Sequence, residues 1–266
     1  MNATILMTYR ESSPERRKNL LTTVQWLAAE APAAKLLVIE QDSYPRLTGT
    51  LPHPEHQVQF AYNPHGFNKA WGLNVVACMA RTPVLVFTDA DLIVPGSLRS
   101  IIDACAQQAP IAKPYDDVRD LTEAESARVH QGHYGVEPPS SPSGKPGREA
   151  IGEQLPLCGG MFAIRSDAFF HIGGWDERFV GWGGEDDAMS VKLQRAQMQV
   201  VVQAGTALHL WHPRATAHID QAQYQRNVAV LQSIRQCSDA QLARMAEVQR
   251  QVMGYSEKYR PRESAQ

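Results

Sequence analysis

Short apolar runs alternate with longer stretches of helical periodicity in the first third of the chain. The first such stretch carries Leu20, Val24 and Leu27 at helical spacing, and Ser13 before Pro14 is typical of a helix start. The pattern predicts strands at residues 3–9, 35–40 and 83–88 and helices at residues 14–30 and 68–80. This β-α-β-α-β order predicts an α/β fold with a mostly parallel central sheet flanked by helices.

The second half of the chain is less regular. Residues 131–153 are rich in Gly, Pro and Ser, which favours a flexible loop or a lid over a ligand. The run VVVQAGTAL at residues 200–208 predicts one further strand. Helical periodicity then returns, so we expect a catalytic domain at residues 1–218 and a helical extension packed on it at residues 219–266.

Composition narrows the class of protein. With 43% hydrophobic and 20% charged residues, the 266-residue chain resembles ordinary globular domains and not disordered ones. Its net charge of −2 argues against nucleic acid as a partner. The sequence has no apolar run long enough to predict a transmembrane segment, and it shows no signal-peptide pattern. Its four cysteines lack the CxxC spacing of zinc sites. We therefore expect a cytoplasmic protein with reduced thiols.

Two carboxylates follow the third predicted strand. Asp89 and Asp91 stand at i and i+2, so both can approach one ligand, and a divalent cation with phosphates needs such oxygens. A solvated acidic turn is the alternative. Arg10 and Asp42 end the other two strands, and ligands of open parallel sheets collect at this edge, which favours a binding site.

A second cluster lies in GGWDERFVGWGGEDDAMSVKLQ, at residues 173–194. Glu185, Asp186 and Asp187 open a predicted helix, where acids are also favoured by the helix dipole alone. That explanation leaves out Trp175 and Trp182. Indole faces beside carboxylates are typical of carbohydrate sites, because the ring stacks on C–H surface while the acids hold hydroxyls.

The third cluster is His209-Leu210-Trp211-His212. Residues at i and i+3 of a strand face opposite sides, so both histidines can bind one metal only if the chain turns, as Pro213 allows. GxGxxG, GxxxxGK[ST], HExxH and GxSxG motifs are absent from the sequence, which removes the main support for kinases, zinc proteases and serine hydrolases.

Five blocks in order resemble the catalytic domain of β-1,4-galactosyltransferases and related inverting glycosyltransferases of the nucleotide-diphospho-sugar transferase (GT-A) fold. They are LLVIEQ, GFNKAWGLNVV, VFTDADLIVP, LCGGMFAIRSDAFFHIGGWDERFVGWGGEDDAMSVKL and LHLWHP. The resemblance implies a GT-A fold and the transfer, with inversion, of a hexose or N-acetylhexosamine from a UDP-sugar. It implies a glycan or lipid-linked saccharide as acceptor, Mn²⁺ or another divalent cation as cofactor, and a role in polysaccharide biosynthesis.

The resemblance also implies roles for individual residues. Asp186 corresponds to the general base, and Asp91 and His212 to metal ligands, with His209 where the animal enzymes have a methionine ligand. Predicted donor-binding residues are Thr8, Arg10, Asp42, Asn68, Lys69 and Asp89, and predicted acceptor- or sugar-binding residues are Gly160, Trp182, Glu185 and Asp187. Lys69 replaces an arginine of the family and lacks its two-pronged hydrogen bonding.

Two other functions remain open at this point. A sugar-1-phosphate nucleotidyltransferase normally has a Gly-rich loop after the first strand, and MTYRESSPERR lacks those glycines. A non-catalytic sugar-nucleotide or glycan-binding protein would have lost the base or a metal ligand, whereas Asp186, Asp91 and His212 are all present.

Overall fold

A computed structural model describes residues 2–135, 157, 159–213 and 220–261. The strands are β1 (Ala3–Tyr9), β2 (Lys35–Asp42), β3 (His56–Tyr62), β4 (Val84–Phe87), β5 (Leu92–Ile93), β6 (Ile111–Lys113), β7 (Asp117–Asp120), β8 (Phe162–Arg165), β9 (Val200–Val202) and β10 (Thr206–His209). The helices are α1 (Pro14–Glu30), α2 (Lys69–Met79), α3 (Leu98–Gln107), α4 (Glu123–Val129), α5 (Ser166–His171), α6 (Glu185–Arg195), α7 (Gln221–Gln236) and α8 (Asp239–Val252).

Seven strands form the central sheet, in the order β3-β2-β1-β4-β8-β6-β9. All its neighbours pair in parallel except β8, which is antiparallel to β4 and β6. The predicted α/β class with a mostly parallel sheet and flanking helices is therefore confirmed. β3 was not predicted, because HQVQFAY mixes polar and apolar residues on a half-buried strand at the sheet edge.

Helices cover both faces of the sheet, which explains the unbroken apolar run of β1. Ile5 and Met7 pack in one core cluster with Leu20 of α1, whereas Leu6 packs in the other with Trp71 of α2. Strands buried on both faces lose the apolar/polar alternation of half-exposed ones. The predicted cap of α1 is also confirmed, since the Ser13 side chain accepts a hydrogen bond from the Arg16 amide.

The single strand predicted at residues 200–208 is wrong in one respect. The segment divides into β9, which pairs with β6 of the central sheet, and β10, which lies between β5 and β7 in a separate three-stranded sheet. The chain bends at Gly205, whose carbonyl accepts hydrogen bonds from the Asp116 and Asp117 amides. Because of this break, the end of β10 lies beside the turn that follows β4.

The two C-terminal helices pack against the remainder of the chain. A small apolar cluster joins Phe179 and Ala188 to Ile234 of α7, and Leu242 and Met245 of α8 pack against it. The predicted boundary at residue 218 lies outside the described residues, as do residues 136–153 of the predicted lid. No helix in the described part of the chain has the length and apolarity needed to cross a membrane.

Gly72 lies where α2 crosses the ends of β1 and β2, and we expect Gly72→Ala to lower the free energy of unfolding by about 1–3 kcal/mol. A Cβ there would overlap the Gln41 amide nitrogen and Thr8 Oγ1, and would lie 3.1 Å from Thr8 Cβ. Urea denaturation would measure the loss. Gly135→Ala is the matched control, because a Cβ at Gly135 meets nothing within 4 Å among the residues that the structure describes. Equal stability of the two variants would contradict the expectation.

Candidate active site

Three neighbouring parallel strands, β2, β1 and β4, end at one edge of the central sheet. Asp42 ends β2, Arg10 follows β1, and Asp89 and Asp91 follow β4. Because the strands are parallel, their carboxyl ends share this edge. The sequence-based expectation that these residues gather at one edge is confirmed.

Asp91, His209 and His212 form a cluster beside this edge, as the sequence predicted. One ligand atom from each lies within 4.8 Å of the others. His209 Nε2 is 3.8 Å from Asp91 Oδ1, and His212 Nε2 is 3.5 Å from Asp91 Oδ2. The antiparallel pairing of β10 with β5 produces this arrangement, because it places His209 opposite Leu92, next to Asp91 in the chain.

Three hydrogen bonds stabilise the turn that brings His212 back towards Asp91. The Leu210 amide donates to the Asp91 carbonyl at 2.8 Å, and Asn19 of α1 donates to the Trp211 carbonyl at 3.0 Å. Ser126 of α4 accepts a hydrogen bond from the Trp211 amide at 2.8 Å. One carboxylate and two imidazoles are a donor set suited to a divalent transition metal, so the residues present fit such an ion.

Charged neighbours shape this cluster. Arg16, in the first turn of α1, lies 2.6 Å from Asp91 Oδ2. Burial disfavours the imidazolium of His209, but Asp91 and Asp120 outweigh burial and raise its pKa. Burial lowers the pKa of His212, and Arg16 acts in the same direction. Arg16 is thus a cationic partner of Asp91 in this structure.

Lys69 connects the strand edge to the acidic helix start. Its Nζ lies 3.0 Å from Asp89 Oδ1 and 3.1 Å from Asp186 Oδ1. Lys69 is the first residue of α2, whose N-cap Asn68 accepts a hydrogen bond from the Trp71 amide. Asp89 and Asp91, two residues apart in the chain, therefore have different partners. Asp91 contacts the histidines, and Asp89 contacts Lys69.

The first turn of α6 carries Glu185, Asp186 and Asp187. Burial, together with the nearby charges of Glu185 and Asp89, raises the pKa of Asp186 to about 7, although Lys69 opposes the shift. Burial also raises the pKa of Glu185. Glu185 Oε2 is buried without a hydrogen-bond partner among the described residues. A carboxylate with a pKa near neutrality can exchange a proton at physiological pH.

Trp182 stands on a glycine-rich turn before α6. The side chain is 67% exposed, and its indole stacks on Tyr224 of α7 with the ring centres 5.7 Å apart. Gly181 and Gly183 on either side have φ of 71° and 99°, which side chains rarely adopt. Asn227 of α7 donates a hydrogen bond to the Trp182 carbonyl at 3.1 Å. The turn thus presents one large aromatic surface to solvent beside the acids.

Four of the residues predicted to bind the sugar donor are hydrogen-bonded within the protein at this edge of the sheet. Thr8 Oγ1 accepts a hydrogen bond from Gln41, and Arg10 donates to the carbonyls of Gln41, Asn63 and His65. The side chains of Asp42 and Asn68 are likewise bonded within the protein. These contacts shape the edge, and direct contact of these residues with a donor stays a prediction.

Gly160 packs against Tyr115, a residue that the sequence reasoning did not single out. The Tyr115 hydroxyl donates to the Gly159 carbonyl and accepts from the Met161 amide at 3.1 Å. Gly160 has φ of 80°, and a Cβ there would lie 2.8 Å from Leu92 Cδ2. Close packing explains this glycine, and its predicted contact with a sugar stays a prediction.

Two further residues beside the histidine cluster were missed. Arg16 lies against Asp91, and Asp120 lies against His209 with Oδ1 2.8 Å from Nδ1. Neither had a motif to mark it. Both contacts join residues far apart in the chain, so only the pairing of elements reveals them.

A comparison with known protein families finds one match, which covers part of the chain. The family described as "N-terminal domain of galactosyltransferase" matches residues 153–213, which contain the α6 acids and both histidines. No curated protein matches the chain in sequence.

Solved structures share its fold at low sequence identity. One is GalNAc-T7 with UDP, GalNAc and Mn²⁺, which is 14% identical and superposes with a TM-score of 0.57. The match covers 93% of this chain and 55% of the GalNAc-T7 chain. A variant of Drosophila β1,4-galactosyltransferase 7 with manganese, UDP-Gal and xylobiose is 15% identical with a TM-score of 0.51, covering 85% of this chain and 79% of that one. The chain therefore has a fold similar to that of GT-A glycosyltransferases, and its residues 153–213 match the galactosyltransferase family.

Proposed function

We propose that the protein transfers a hexose or N-acetylhexosamine from a UDP-sugar to a hydroxyl of a glycan or other saccharide acceptor. The transfer is a metal-dependent single displacement with inversion, and Asp186 is the general base. The observation that carries the proposal is the arrangement of Asp186, Lys69 and Asp89 at the same sheet edge as the Asp91/His209/His212 cluster. Two structures with a similar fold support the choice of donor and cation, since one is a complex with UDP, GalNAc and Mn²⁺ and the other a complex with manganese and UDP-Gal.

Asp91, His209 and His212 hold the divalent cation in this proposal. When bound there, the cation supplies Lewis-acid stabilisation of the negative charge on the departing diphosphate. The side chains of Asp91 and His212 are only 5% and 10% exposed, so they are already partly desolvated. The guanidinium of Arg16 gives Asp91 a counter-charge, and it would also be suited to pair with a phosphate oxygen of the donor.

Asp186 accepts the proton of the acceptor hydroxyl as that oxygen attacks the anomeric carbon. Its neighbour Lys69 holds the carboxylate and at the same time reaches Asp89. Because inversion requires attack from the face opposite the leaving group, the base and the diphosphate-binding residues must lie on different sides of the sugar. The exposed face of Trp182 can stack on a sugar ring, and Glu185 and Asp187 can accept hydrogen bonds from its hydroxyls.

The proposal is tested by following donor consumption and product configuration by proton NMR. The protein is incubated with Mn²⁺ and each of the four donors UDP-Gal, UDP-Glc, UDP-GalNAc and UDP-GlcNAc, with water or a mixture of oligosaccharides as acceptor. We expect one donor to be consumed and its α-linked sugar to appear first as the β anomer. Release of the α anomer would contradict single displacement, and consumption of none would contradict the proposed transfer.

The raised pKa of Asp186 predicts how activity depends on pH. Below about pH 7 the carboxyl group is protonated and cannot act as a base, so kcat/KM should fall as the pH falls through about 7. The Lys69 cation lowers the pKa of Asp186, so removing it in Lys69→Met should shift this acid limb to higher pH.

Lys69→Arg is the matched control for this pH profile. It keeps the positive charge beside Asp186, and we expect the acid limb to stay near its original position. The position of the limb is the relevant readout, because both substitutions can also change donor affinity. An acid limb that is identical in wild type and Lys69→Met would contradict the assignment of the titrating group to Asp186.

A further inference from the structure

Asp120 lies next to His209 but outside the cluster that faces the cation. β7 and β10 run parallel, and Asp120 is paired with His209 at the last position of each strand. Paired residues of adjacent strands place their side chains on the same face of the sheet. The sheet register therefore produces the 2.8 Å contact between Asp120 Oδ1 and His209 Nδ1.

This contact determines which nitrogen of His209 can bind a metal. A carboxylate only accepts hydrogen bonds, so the proton of the neutral imidazole lies on Nδ1. The lone pair is then on Nε2, the nitrogen that lies 3.8 Å from Asp91 Oδ1. Without Asp120, the ring could carry its proton on Nε2 or rotate about χ2, and in both cases a ligand would be lost.

We infer that Asp120 is a positioning residue of the metal site, which fixes the tautomer and orientation of His209 so that Nε2 faces the cation. The inference rests on the proposed function, because it concerns the same Asp91/His209/His212 site. Acceptors that hold the second nitrogen of a metal-bound imidazole commonly change metal affinity by about 10–100-fold when they are removed.

A simple strand-pairing role would have different consequences. The Asp120 side chain is 41% exposed, and a carboxylate–imidazole pair at such exposure stabilises a fold only slightly. Asp117 offers a direct comparison, since it is the first residue of the same strand and its carboxylate accepts a hydrogen bond from Thr206 of β10 at 3.3 Å. Substituting either aspartate with Ala removes one charge and one contact between β7 and β10, but only Asp120 contacts a histidine of the cluster.

The test is a titration with Mn²⁺, following the electron paramagnetic resonance signal of the free ion. It compares the wild type with Asp120→Ala and Asp117→Ala. We expect Asp120→Ala to weaken Mn²⁺ binding by about 10–100-fold and Asp117→Ala to leave it unchanged. If the wild type binds Mn²⁺ and the two variants bind it with equal affinity, this inference alone is overturned. If the wild type does not bind Mn²⁺, the proposed metal site is overturned as well.

A second measurement needs no metal. Nitrogen-15 NMR of histidine-labelled protein, at a pH where His209 is neutral, distinguishes the two tautomers, and the His209→Gln spectrum identifies its signals. We expect the Nδ1–H tautomer in the wild type and in Asp117→Ala, and a loss of that preference in Asp120→Ala. An Nε2–H tautomer in the wild type would overturn the inference.

Discussion

Asp186→Asn is expected to lower kcat for sugar transfer by about 10²–10⁴-fold while donor binding survives. Asn keeps the size of the side chain but cannot accept the proton of the acceptor hydroxyl. The Asp186 carboxylate lies 3.1 Å from Lys69 and has its pKa raised to about 7, as suits a base that works near neutral pH. Rates measured with a saturating UDP-sugar and Mn²⁺, beside the Kd for UDP, check this expectation.

Stability provides the control for this variant. A carboxyl group whose pKa is raised in the folded protein stabilises it at low pH, and this contribution is lost as the pH rises through about 7. Asn has no such pH dependence, so the stability of Asp186→Asn relative to wild type should increase from pH 5 to pH 8. If the folded variant turns over as fast as the wild type, Asp186 is not the base. If the variant loses transfer but still binds the donor, the protein is an enzyme and not only a binding protein.

Asp91→Asn is expected to abolish Mn²⁺-dependent transfer, with a fall of about 10³-fold or more. A metal that stabilises a leaving diphosphate contributes several kcal/mol, and each 1.4 kcal/mol corresponds to a factor of ten in rate. Asp91 is the single carboxylate of the cluster and lies within 4 Å of both imidazoles. Losing its charge should therefore weaken the metal site more than any other single substitution there.

The measurement for Asp91→Asn is the rate of transfer as a function of Mn²⁺ concentration. Asp103→Asn on α3 is the matched control, because it removes an exposed carboxylate away from the cluster and should leave the rate unchanged. The wild-type rate in Asp91→Asn at low Mn²⁺ would show that the cation is held elsewhere or is not needed.

The sequence predicted the fold, the polar edge of the sheet and the Asp/His cluster because all three depend on local pattern. Apolar runs ending in Arg10, Asp42, Asp89 and Asp91 indicate parallel strands with a polar edge, and parallel strands must place those ends together. The two histidines near Pro213 predicted a metal site if the chain turned there, and it does turn.

The remaining features depend on how distant segments pair. The contact of Arg16 with Asp91 joins residues 75 positions apart, and that of Asp120 with His209 joins residues 89 positions apart. The division of VVVQAGTAL between two sheets has the same origin, since its apolar composition suits one strand and only the tertiary contacts of Gly205 break it. The three hydrogen bonds from the guanidinium of Arg10 to backbone carbonyls likewise depend on the folded structure.

Calorimetric titration of the wild-type protein with UDP, first with Mn²⁺ and then with a chelator, measures whether donor binding depends on the metal. We expect UDP to bind in the presence of Mn²⁺, and we expect this binding to be lost, or weakened by several orders of magnitude, when the metal is removed. Equal binding under both conditions would contradict a metal-assisted donor site at Asp91, His209 and His212. Absence of UDP binding both with Mn²⁺ and with the chelator would contradict the proposed UDP-sugar transferase itself.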